Sequence, residues 1–227
     1  MYNHFSKHRI MKKQTLGILL LILSLVCSAT AQKTDNKEEE RVQLARDRYA
    51  EGLEKIANVK AFEKDDIPDI NYTTVVRKEN WGGSGMTVDK MEFYFNALED
   101  DYESRPHGYN LLMIRRNYNV GSVEFVEEYV YDEEGNPLFW FTRYGYYEGK
   151  NYSYKVELRG YYDTNGTLIR SICKKAGENE ELKTCSINDR VNEYDEETLE
   201  APFNRASMNF TKFKAVFKNL YEVDYSY

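Results

Sequence analysis

Histidine, cysteine and proline are scarce in this 227-residue chain, at three, three and four residues. The first two shortages remove most familiar catalytic arrangements. His107 is the only histidine beyond residue 31. No Gly-x-Ser-x-Gly elbow accompanies it and no spare thiol stands ready as a nucleophile, so a Ser-His-Asp or Cys-His enzyme is not expected. No His-x-x-x-His pair or cysteine cluster has transition-metal spacing, and no Asp-x-Asp-x-Asp run offers calcium ligands. Neither a metal nor a cofactor is expected. The glycine-rich Trp81-Gly82-Gly83-Ser84-Gly85 lacks the Gly-Lys-Ser/Thr ending of a phosphate loop and reads as a flexible turn. An excess of basic charge is missing too: 31 Lys and Arg face 38 Asp and Glu, a formal net charge of −7. Such a body repels phosphate backbones and anionic lipid, which argues against nucleic-acid binding.

The longest apolar run, Leu16 to Val26, has eleven residues, against the twenty or so that span a bilayer. It follows the basic Met11-Lys12-Lys13 and precedes the small residues Ala29-Thr30-Ala31, the pattern of an export signal. Initiation is expected at Met11 and cleavage after Ala31, giving a periplasmic or secreted chain with no transmembrane segment. The alternative is an outer-membrane lipoprotein anchored through Cys27. Removal of residues 1–31 takes the net charge from −7 to −11 and leaves 196 residues, enough for one domain spanning 32–227.

Cys173 and Cys185 remain. A hairpin with its tip at Gly177 to Glu181 pairs Lys175 with Lys183 and places the two cysteines opposite each other, where the β-carbons approach disulfide separation. A structural disulfide is expected in an oxidising compartment.

Between about Met86 and Ile187 the chain alternates aromatic strands with tight turns. Tyr131-Asp132-Glu133-Glu134-Gly135 returns thirty-one residues later as Tyr162-Asp163-Thr164-Asn165-Gly166. Asp at the first turn position and Gly at the fourth suit a type I turn closed by a left-handed residue. Strands are expected at 71–77, 87–96, 111–118, 123–131, 138–147, 152–162, 167–174 and 182–187. Their short links permit only antiparallel neighbours. Helices are expected at 36–58, with the stripe Val42, Ala45, Tyr49, Leu53 and Ile56, and at 202–221, with Phe203, Ala206, Phe210, Phe213, Phe217 and Leu220. The fold class is α+β: a curved antiparallel meander of seven or eight strands over 71–189, with both helices packed on one face.

The two Tyr-Asp-x-x-Gly segments resemble single units of the tyrosine-aspartate repeats of large bacterial surface proteins. The order of a helix and then a long meander is similar in outline to periplasmic lipoprotein carriers, which implies an open barrel with a greasy cavity. The whole chain resembles exported proteins of Gram-negative bacteria.

Aromatics are what the chain has in quantity: twenty Tyr, eleven Phe and two Trp. Tyrosine suits both half-buried sheet faces and contact surfaces. With no catalytic constellation to set beside it, this points to a non-enzymatic exported module that binds a glycan, lipid or protein on an aromatic sheet face. Trp81, Trp140, Tyr144, Tyr152 and Tyr154 are the candidate contacts. A carrier of a lipid or other hydrophobic ligand is the alternative. A glycan hydrolase is the third reading; it needs two convergent carboxylates, which Glu127 and Glu128 cannot supply together because consecutive strand residues point to opposite faces.

Overall fold

The computed structural model describes residues 36–59, 70–82, 85–98, 108–148, 151–178, 180–190 and 197–221. The segment expected to act as an export signal, with Cys27, and His107 lie outside them. Arg41–Tyr227 forms one compact unit, and of the preceding unit, Met1–Glu40, residues 36–40 are described and are helical. Among the described residues no helix is long and apolar enough to cross a membrane.

The fold is an α+β meander: one eight-stranded antiparallel sheet, in sequence order and not closed, with two helices. The strands are β1 (Asn71–Trp81), β2 (Gly85–Leu98), β3 (Gly108–Val120), β4 (Val123–Tyr131), β5 (Pro137–Glu148), β6 (Asn151–Tyr162), β7 (Leu168–Gly177) and β8 (Lys183–Thr184). Helix α1 covers residues 36–59 and α2 covers Glu200–Tyr221. Most strands run a few residues longer than the hydrophobic pattern suggests, and β8 shrinks to two residues.

The helices occupy opposite faces, which corrects the expectation of one shared face. Phe203, Phe210, Phe213 and Phe217 of α2 pack with Phe93, Tyr129, Tyr131, Trp140 and Tyr162. Val42, Ala45 and Ile56 of α1 pack with Tyr94, Val130, Phe139 and Tyr161. The neighbours Tyr129 and Val130, Phe139 and Trp140, and Tyr161 and Tyr162 therefore divide between two cores, as strand alternation requires. Central strands that are apolar on both sides need cover on both, and a single helical layer supplies one. The α1 stripe is also rotated from the expected one. Leu53 is exposed, and Gly52 takes the closest approach, where a β-carbon would meet Met113 Sδ at 3.5 Å.

The repeated turns form as expected. In each, the Gly N–H donates to the Asp carbonyl (Gly135 to Asp132 and Gly166 to Asp163, both 3.0 Å), and Gly135 and Gly166 have φ of 75° and 81°. The repeat has a further consequence for α2. The Tyr131 hydroxyl donates to the Phe210 carbonyl (2.9 Å) and the Tyr162 hydroxyl to the Phe203 carbonyl (3.2 Å). Lys214 Nζ donates to the Gly135 carbonyl and Ser207 Oγ to the Gly166 carbonyl, both at 2.6 Å. Both helical spacings are seven residues, about 10.5 Å along an α-helix. The two hairpins lie two strands apart, about 9.6 Å. The match explains why one Tyr-Asp-x-x-Gly unit recurs: each copy holds one end of a two-turn segment of a helix that crosses the strands.

Arg41 ties the same two hairpins together from the α1 side. It reaches Asp132 Oδ2 (2.9 Å), the Pro137 carbonyl (2.7 Å) and the Tyr162 carbonyl (3.1 Å).

The two cysteines are unbridged thiols, which corrects the expected disulfide. The register that predicts their opposition does form: Lys175 pairs with Lys183, and Cys185 N–H donates to the Cys173 carbonyl at 3.1 Å. Burial, reinforced by the neighbouring Cys185, pushes the Cys173 thiol up to about 11, and burial raises Cys185 as well. Thiol–disulfide chemistry proceeds through the thiolate, which this environment disfavours.

Candidate functional site

Helix α2 covers only part of its sheet face, because the two turns fix it across one end of the central strands. The other end is left to a cleft with a volume of about 590 Å³, bounded by β3 to β6 below and by residues 197–209 at one side. That volume is within the range of small-molecule sites.

The floor of the cleft is built from two cross-strand rows. The lower row is Tyr118, Phe125 and Tyr144, directly opposed in register on β3, β4 and β5. Tyr118 and Phe125 stack at 4.6 Å and 5°, and Phe125 and Tyr144 at 5.1 Å and 23°. The faces of Phe125 are thus taken by its neighbours. With Phe125 on one side of Tyr118, the Arg116 guanidinium, 4.0 Å from the Tyr118 centroid, caps the other. The upper row is Arg116, Glu127 and Thr142, again directly paired across strands. Trp140 lines the cleft one step above Thr142, where it stands edge-to-face on Phe203 at 5.4 Å.

The polar groups of the upper row are held firmly. Both Asp89 oxygens accept from Arg116 (2.9 and 2.8 Å), whose third nitrogen reaches Glu127 Oε2 at 3.2 Å. Glu127 also accepts from the hydroxyls of Tyr129 (3.0 Å) and Tyr118 (3.4 Å). Asn209 of α2 in turn donates to the Tyr129 hydroxyl at 3.2 Å. Burial pushes the Glu127 carboxyl above the usual carboxylate range, against the pull of Arg116 and its hydroxyl donors. Thr142, nearly fully buried, donates to the Val126 carbonyl at 3.0 Å. At the rim, Arg205 pairs with Glu197 at 2.6 Å. Trp140 is different. It is 1% exposed, and its indole Nε1 is buried without a hydrogen-bond partner.

Three of the residues singled out from sequence, Trp140, Tyr144 and Tyr154, line this one cleft. Trp81 stands at the end of β1, where it pairs with Gly85, away from the strands that form the cleft. Tyr152 pairs with Tyr147 near the start of β6. The side chains of Trp81 and Tyr152 lie outside what the structure describes.

Phe125, Tyr118, Arg116, Glu127 and Asn209 were not foreseen as lining. Their signal was legible only in part: residues two apart on β3 and β4 share a face, but which face α2 leaves open is decided by its docking on the turns. Glu128, next to Glu127, belongs to the opposite face. There it accepts from the Tyr49 hydroxyl at 2.5 Å and lies 2.9 Å from Arg115 Nε, an ion pair whose geometry is not that of a hydrogen bond. Among the described residues no group of His, Cys, Asp and Glu is gathered to hold a metal ion.

Comparison with known proteins brings no match: no family model, no curated protein and no solved structure corresponds to this chain.

Proposed function

We propose that this protein is a non-enzymatic exported binding module and that the cleft beside α2 is its binding site. The observation that carries the reading is the row Tyr118–Phe125–Tyr144, an apolar floor left uncovered by a helix that buries the rest of the same face. Covering that floor with an apolar ligand removes aromatic surface from water, at about 25 cal/mol per Å². The cross-strand stacking fixes the rings before a ligand arrives, so little side-chain entropy is lost on binding.

Glu127 and Glu197 both line the cleft, which calls for a decision on the hydrolase reading. Both Glu127 oxygens already accept hydrogen bonds from Arg116, Tyr118 and Tyr129, and Glu197 is paired with Arg205. A carboxyl surrounded by donors is placed to hold a wall together, whereas a general acid must present its own proton to a substrate. The binding reading is therefore preferred.

Native mass spectrometry of the full chain, recovered from the envelope or medium of cells that make it, tests this. The expected spectrum carries a small-molecule adduct that is lost in Phe125→Ala. A mass free of adduct, together with glycan turnover abolished by Glu127→Gln, overturns the reading.

A further inference from the structure

The sheet has two edges, and they are built differently. At one, β8 is two residues long and pairs with Lys174 and Lys175 of β7 through Thr184 and Lys183, so lysines crowd a short ladder. Short, lysine-bearing edges resist pairing with other chains. At the other, β1 runs for eleven residues in one unbroken register with β2, without proline or bulge. Its first half, Asn71 to Val76, carries no charge. Among the described residues β2 is its only partner strand.

Two contacts on β2 fix which backbone groups of β1 face outward. Val88 N–H donates to the Asn119 side chain of β3 at 2.9 Å, and the Met86 carbonyl accepts from the same side chain at 3.3 Å. Even-numbered residues of β2 therefore turn their backbone groups to β3, and odd-numbered ones turn theirs to β1. In the β1–β2 register odd residues face odd and even face even. The N–H and C=O groups of Tyr72, Thr74 and Val76 thus point away from β2, as a template for a further strand.

The side chains on this row are exposed as well, Tyr72 at 56% and Val76 at 50%, with exposed Thr74 between them. Tyr72 is backed by Tyr94, with ring centroids 6.0 Å apart. The row is self-complementary about Thr74. Antiparallel pairing with a second copy, centred there, sets Tyr72 against the partner's Val76, Thr74 against the partner's Thr74 and Arg77 against the partner's Asn71. Aromatic with β-branched and threonine with threonine are favourable cross-strand pairs, and no like charges are opposed. A centre at Val75 or Val76 leaves Tyr72 facing Lys78 or Asn80, and a centre at Arg77 or Lys78 sets that cation against itself.

We propose that β1 is a dimerisation edge, on which two copies of this chain pair their β1 strands antiparallel about Thr74 and join two eight-stranded sheets into one. Using the same patch on both partners closes the assembly at two. Strand β2 separates β1 from the strands that bound the cleft, so the inference does not depend on the binding reading.

The test is sedimentation velocity on the protein recovered from cells that make it, from low micromolar to submillimolar concentration. A monomer–dimer equilibrium is expected. Thr74→Pro removes one outward N–H and spares the ladder to β2, because an edge strand tolerates proline where its N–H faces out. Dimer affinity is expected to fall about tenfold or more, with an unchanged circular dichroism spectrum. Should that variant fail to fold, Thr74→Lys, which opposes two cations across the axis, is expected to weaken the dimer by a similar factor. Oxidation reads the register. Thr74→Cys should form a covalent dimer, since directly opposed residues lie within disulfide reach. Lys78→Cys, about 26 Å from its counterpart in this register, should not.

A monomer at every concentration overturns the inference, as does a folded Thr74→Pro or Thr74→Lys that dimerises like the wild type. Oligomers that keep growing with concentration overturn it too, because they report a head-to-tail contact. So does a Thr74→Cys that forms no link, or a Lys78→Cys that links equally well.

Discussion

Three tyrosines carry much of the contact between α2 and the sheet, and their hydroxyls give a sharp alkaline test. Tyr129, Tyr131 and Tyr162 are each 0% exposed. Burial raises the pKa of all three, and for Tyr129 the nearby Glu127 carboxylate adds to it. In the unfolded chain a tyrosine ionises near pH 10. Because the folded-state values are higher, the stabilising contribution is fully present below pH 10 and is lost as the pH rises above it. Each group then costs RT ln(1 + 10^(pH−10)), or about 1.4 kcal/mol at pH 11 and about 2.7 kcal/mol at pH 12. The three together cost about 4 kcal/mol at pH 11 and about 8 kcal/mol at pH 12. Domains are stabilised by about 5–15 kcal/mol in total, so cooperative unfolding is expected between about pH 11 and 12. Circular dichroism follows the fold while absorbance near 295 nm counts phenolates; the last of these should appear in step with loss of structure. Tyr49, Tyr94 and Tyr118 are raised as well, chiefly by burial, so in Tyr131→Phe/Tyr162→Phe the dependence of stability on pH above 10 should fall to about two thirds, after an initial loss of about 2 kcal/mol for two buried hydrogen bonds. Titration of all twenty tyrosines near pH 10 with the fold intact would refute the reasoning, as would an unchanged slope in the double variant.

Two substitutions test the packing around that contact. At Gly160, opposite Trp140 in register, an added β-carbon would lie 2.9 Å from the Tyr162 hydroxyl and 3.1 Å from Phe203 Cδ1. Gly160→Ala should therefore destabilise by about 1–3 kcal/mol through overpacking, read as a lower denaturant midpoint; Gly82→Ala, which meets nothing within 4 Å, should be close to neutral. Arg41→Met removes the partner of Asp132, which is 3% exposed, together with two carbonyl contacts. It should cost about 2–4 kcal/mol, near the range for breaking a buried pair, since Asp132 keeps its bonds from Asn136. A melting temperature within 2 °C of wild type would contradict that role.

Trp140 and Thr142 show how the site divides between what could be read and what could not. The alternation Leu138, Phe139, Trp140, Phe141 marks β5 as covered on both sides, and this signal contradicted the expectation of two helices on one face. The alternation was the better guide, because it is local geometry, whereas assigning both helices to one face was a guess about long-range packing. For the cysteines, the register was read correctly from the hairpin tip, but opposition supplied only proximity, and the burial that raises the Cys173 thiol depends on the core that α2 and the sheet form around it. Nothing in the sequence marks Arg116 and Glu127 as partners. Their buried pairing emerges only when Asp89, two strands away from β4, completes the set.

The sequence by itself determined the antiparallel meander, its turns and the presence of two amphipathic helices, since each follows from the period of side chains and from the left-handed conformation that Gly135 and Gly166 supply. Only the tertiary structure decided which end of the sheet lies open. A seven-residue helical step matches a two-strand step, so the two Tyr-Asp-x-x-Gly hairpins hold α2 across one end of the strands. The aromatic row at the other end is left as a cleft for the same reason.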